Sequence, residues 1–81
     1  MSGGGDFITD LADRLAQDAL AAEAELEDDR LIEQLSTTIG AASQTLQEAF
    51  MTSVRIRRAE QRGRLWLTQR IAKAKAAKAA E

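Results

Sequence analysis

The sequence predicts an all-α protein, an antiparallel helical hairpin with a long second helix that oligomerises. Three observations predict it. No proline interrupts the 81 residues, and sixteen alanines sit among Leu, Glu, Gln, Arg and Lys, residues that lose little entropy on becoming helical. Apolar residues recur every three or four positions along most of the chain. With no cysteine and no metal-ligand cluster to staple so short a chain, a hairpin alone is marginal, so self-association or docking on a partner is expected to complete its burial.

Residues 1–5, which include three consecutive glycines, are expected to form a flexible arm. The first helix then runs over 6–26. Phe7/Ile8, Leu11, Leu15, Ala19, Ala22 and Leu26 form its apolar stripe. Asp6 suits its start, where a carboxylate accepts bonds from unpaired amides and meets the positive end of the helix dipole. A second stripe, Leu35, Ile39, Ala42, Leu46, Ala49, Ser53 and Ile56, alternates steps of four and three and makes a heptad seam, assigned here to oligomerisation. Extended toward each other, the two stripes land on Asp28, Asp29 and Glu33. They are out of phase, so a turn is expected at 27–29, with either Asp capping a helix that begins at Arg30 or Leu31. Gly40, which follows Thr37, Thr38 and Ile39, is the competing break. The seam nevertheless keeps its phase through it, and one glycine costs a helix only about 1 kcal/mol. The domain reading is therefore an acidic hairpin and seam over 6–53, followed by a basic helical arm over 54–81 with a frayed end.

Charge is divided along the same line. Residues 1–48 hold eleven Asp/Glu against Arg14 and Arg30, a net of −9, while residues 49–81 carry nine Lys/Arg against Glu60 and Glu81, a net of +7. A field split into blocks points to association rather than to catalysis. Arg55, Arg57, Arg58, Arg62, Arg64, Arg70, Lys73 and Lys75 are the candidate contacts for an anionic partner, either an acidic protein surface or nucleic acid. Lacking a zinc pattern, an aromatic stacking pair or a helix-turn-helix, such contact with nucleic acid would be sequence-independent. Leu65, Trp66 and Ile71 are candidate anchors for a partner's groove, which makes a helical regulator an alternative reading. A membrane surface fits less well, because alanines replace large residues after Ile71 and Gly63 thins the middle of the apolar face.

Enzymatic work is not expected. Without His, Cys or Tyr, acid-base or nucleophilic chemistry falls to carboxylates, Lys, Ser or Thr, which need a desolvated pocket that a two-helix chain does not build. The acidic pairs Asp6/Asp10, Glu23/Glu27 and Glu25/Asp29 share helix faces but no EF-hand pattern, and they read as solvated surface. No cofactor or metal is expected. Absence of cysteine and of an apolar leader suits the cytoplasm. In layout, a short hairpin with a basic extension resembles the oligomerisation core of viral and gene-transfer-agent small terminase subunits, although no signature residue carries the likeness. That resemblance implies a ring adaptor with DNA as partner, lacking the usual amino-terminal DNA-binding helices.

Overall fold

The computed structural model describes residues 4–81, which form three helices: α1 (Gly4–Leu26), α2 (Leu31–Ala42) and α3 (Gln44–Ala80). Residues 1–3 of the expected arm lie outside the described residues, and Gly4 already belongs to α1. Asp6 is therefore not the cap. It occupies the first turn, where the helix dipole still favours a carboxylate.

The expected turn at 27–29 is present, and its chemistry is local. Glu27 takes a left-handed backbone (φ 51°), and the Asp28 amide reaches back to the Glu23 carbonyl at 3.1 Å, the six-to-one bond of a Schellman ending. Asp28 then turns the chain: its carboxylate accepts the Arg30 amide at 3.0 Å, one residue before α2 begins. Asp29 makes no such bond among the described residues.

The long second helix is in fact two. It breaks at Ser43, three residues beyond Gly40, and Gly40 itself stays helical. Ser43 swings to an extended backbone (φ −156°, ψ 111°), and its hydroxyl accepts the Leu46 amide at 3.1 Å, capping α3. Such a cap contributes about 1 kcal/mol. The glycine matters for a different reason. A Cβ at Gly40 would collide with the end of the Gln47 side chain, whose amide donates to the Ser36 carbonyl at 2.9 Å and ties α3 back to α2.

Folded at both breaks, the chain goes up, down and up again. Ser36 meets Gln47 across the α2–α3 corner, so those helices run antiparallel, whereas Asp13 meets Ser53 and Arg57, and Gln17 to Ala24 lie beside Arg57 and Gln61. Helix α1 therefore lies mainly along α3, in the same direction, rather than antiparallel to one long second helix. Among the described residues the core has seven buried side chains: Ala12, Ala16 and Ala19 from α1, Ile32 and Ile39 from α2, and Phe50 and Val54 from α3. Three alanines at i, i+4 and i+7 give α1 a thin face, which lets α3 come close while Phe50 fills the space beneath α2.

From Ala59 to the end of α3 every residue is exposed. These 22 residues make about 33 Å of helix, which leaves the body beyond Gln61, the last of them beside α1. They make the molecule 59 Å long with a radius of gyration of 17.3 Å, against about 12 Å for a compact chain of this length. The arm begins later than the expected residue 54, because Val54 is fully buried and Arg57 and Arg58 bond to α1. Helix persists through Ala80 where fraying was expected.

Candidate anionic-partner interface

Helix α3 carries the whole cationic series, and its position relative to α1 sorts those residues into two groups. Arg57 lies on the inner face, one turn beyond Val54, and clasps Asp13: Nε donates to Oδ1 at 2.7 Å and Nη2 to Oδ2 at 2.8 Å. Ser53 adds a hydroxyl bond to Asp13 Oδ1 at 3.2 Å, and Gln17 donates to Oδ2 at 3.3 Å. Arg58 reaches Glu23 at 2.8 Å. These two arginines are satisfied within the chain.

The clasp shows in the ionisation of its members. Hydrogen bonding from Arg57 lowers the Asp13 carboxyl to about 2 from an ordinary 3.8, against an opposing effect of burial, and the Arg57 guanidinium is raised by the same bond. A carboxyl depressed in the folded state stabilises the fold above its unfolded value and loses that contribution as protons bind. Asp13 should therefore stabilise the body fully above about pH 4 and progressively less as pH falls to about 2. In denaturant titrations across that window, wild type should converge on Asp13→Asn as pH drops; a constant gap would show that the clasp does not set the pH dependence. Both side chains remain more than a third exposed, so solvent and salt weaken the pair.

The second group makes no ion pair with the body. Arg55, Arg62, Arg70, Lys73, Lys75 and Lys78 are exposed and have no acidic partner among the described residues; Arg64 pairs only with Glu60 on its own helix. Leu65, Trp66, Leu67 and Ile71 lie among them, each roughly half exposed or more. A shallow hollow of about 710 Å³ is lined by Trp66, Gln69, Arg70, Lys73, Ala74 and Ala77. All six belong to α3, and one helix alone does not enclose a ligand, so this is an open surface rather than a cleft.

The proposed seam residues are divided as well. Ile39 is buried in the chain's own core, Leu35, Leu46 and Ala49 pack partly against it, and Ala42 and Ile56 are exposed, Ile56 at 63%. The break at Ser43 means that the six do not form one straight stripe. Below the break, Ala49 packs at the edge of the core while Ile56, one heptad on, is exposed, and the line through Ile56 continues along the arm through Leu67, Ile71 and Ala74. Sequence reasoning missed Asp13 and Glu23 as the acids that claim Arg57 and Arg58. The available signal was Phe50, Val54 and Arg57 at four- and three-residue spacing, a face whose aromatic member should have marked it as the inner one.

Among the described residues, no group of three or more His, Cys, Asp or Glu is placed to hold a metal ion, and no helix is long and apolar enough to cross a membrane. No family model, curated protein or solved structure matches this chain.

Proposed function

We propose that this is a non-catalytic interaction protein in which a three-helix body holds out a cationic helical arm for docking on an anionic surface, whether an acidic protein or nucleic acid. One observation carries the reading: residues 59–80 form uninterrupted, wholly exposed helix whose basic side chains mostly lack partners, while the body that bears it is net acidic. A helix kept solvated over about 33 Å gains nothing for its own fold beyond local hydrogen bonds, so its apolar and cationic groups are available to another surface. A small-terminase-like ring adaptor would be one form of this function, with DNA as the anionic partner. The exposed Leu65, Trp66 and Ile71 also suit insertion into a partner's groove, as a helical regulator would require.

The test reverses the arm in the full chain with Arg70→Glu, Lys73→Glu, Lys75→Glu and Lys78→Glu, all exposed positions. Wild type should be retained on heparin and polyglutamate columns and released by salt, with the variant losing at least about tenfold in affinity for both. Equal elution of the two proteins from both polyanions would defeat the reading.

A further inference from the structure

Helix α1 leaves an apolar flank uncovered. Its alanine face is spent on α3, but Phe7 and Leu11 are 64% and 41% exposed, and the same side of the helix continues through Arg14, Asp18 and Glu25, all exposed. The outward line of the arm mirrors it. Leu67 and Ile71 are half exposed, and Lys78 stands beyond them. The spacings are equal: Phe7, Leu11 and Asp18 advance by four and then seven residues, as do Leu67, Ile71 and Lys78. On two helices lying side by side in the same direction, equal spacing sets apolar against apolar and acid against base at once.

We propose that the arm of one copy docks along the exposed flank of α1 in a second copy, with Leu67 and Ile71 against Phe7 and Leu11 and Lys78 against Asp18. This rests on the docking role given above for the arm and names its partner as this chain itself. The direction matches that already adopted by α1 and α3 within a protomer. Within one copy Asp13 is level with Ser53; between copies Leu11 would be level with Ile71, so neighbours are offset by some 20 residues of helix, about 30 Å. Helix α1 is 23 residues, about 34 Å long, so that offset sets the second body almost one body length along from the first. The contact joins two different surfaces, so each copy keeps one free arm and one free flank, and the assembly grows head to tail until it closes as a ring or continues as a filament. A junction of one helix on one helix is small and belongs to the weak class, dissociating on dilution.

Complementation of charge provides the test. At about 100 µM protein and low salt, sedimentation should give wild type a mass at least twice the 8.8 kDa of the monomer, falling toward it in about 0.5 M salt. The arm-reversed chain should be monomeric, as should a flank-reversed chain carrying Asp10→Lys, Asp18→Lys and Glu25→Lys. Mixed one to one, the two should assemble again, because each then offers what the other lacks. Ile71→Ser, which lies outside the body and does not threaten its fold, should lower the assembled mass without any change of charge. A monomeric wild type whose heparin retention is lost on arm reversal would overturn head-to-tail docking and leave nucleic acid or another acidic protein as the arm's partner. Assembly that survives both reversals would overturn it in favour of a different face, and a monomeric wild type with no polyanion retention would remove the arm's docking role as well.

Discussion

Phe50→Ala is expected to unfold the three-helix body. Phe50 is fully buried and is, with Val54, one of two large side chains among the described residues with no solvent contact. It comes from the start of α3 and sits where α1 and α2 both meet that helix, so truncation opens a cavity shared by all three elements. Removing a buried Phe costs about 3–5 kcal/mol through lost transfer energy and the void left behind. A body of this size has a total stability of the same order. Thermal denaturation followed by circular dichroism should show the cooperative transition lost or displaced below room temperature. Phe50→Leu, which keeps most of the volume, should retain a transition at a lower midpoint. A midpoint within a few degrees of wild type for the alanine variant would mean that the core is not where the structure places it.

The position of Phe50 also shows which parts of the fold were legible in the sequence. Helix content followed from composition, and the turn at 27–29 from two stripes out of phase, because both depend only on neighbours along the chain. The second break did not. Across Ser43 the step from Ala42 to Leu46 is four residues, the same as in a continuous helix, so periodicity cannot register that the chain has reversed. Thr37, Thr38 and Gly40 marked a weak stretch, but the residue that ends it does so through a hydroxyl cap, a contact made only after the turn has formed. Once one helix became two, the face chosen for burial changed. The line through Ala49 and Ile56 gave way to the line through Phe50 and Val54, and with it Arg57 and Arg58 passed from the candidate interface to the α1 clasp. The remaining cations were legible as a group because solvent exposure of a charged helix needs no tertiary information.

Ala16→Glu should detach α1 with a penalty above about 3 kcal/mol. Ala16 is fully buried between Ala12 and Ala19 on the thin face of α1, where no side chain larger than a methyl separates it from α3. A glutamate there meets two costs together. Its volume forces the helices apart, at about 1–3 kcal/mol for overpacking, and its carboxylate is desolvated without a counter-ion, since Arg57 and Arg58 are already committed to Asp13 and Glu23. Thr9→Glu places the same side chain at an exposed position of the same helix, away from Arg57, and should change stability by less than about 0.5 kcal/mol. Separation of α1 from α3 also releases Arg57 and Arg58, so the buried variant should lose its folding transition yet be held more tightly by heparin than wild type, although it carries one more negative charge. Loss of stability with unchanged or weaker retention would show that the clasp does not withhold those two arginines from outside partners.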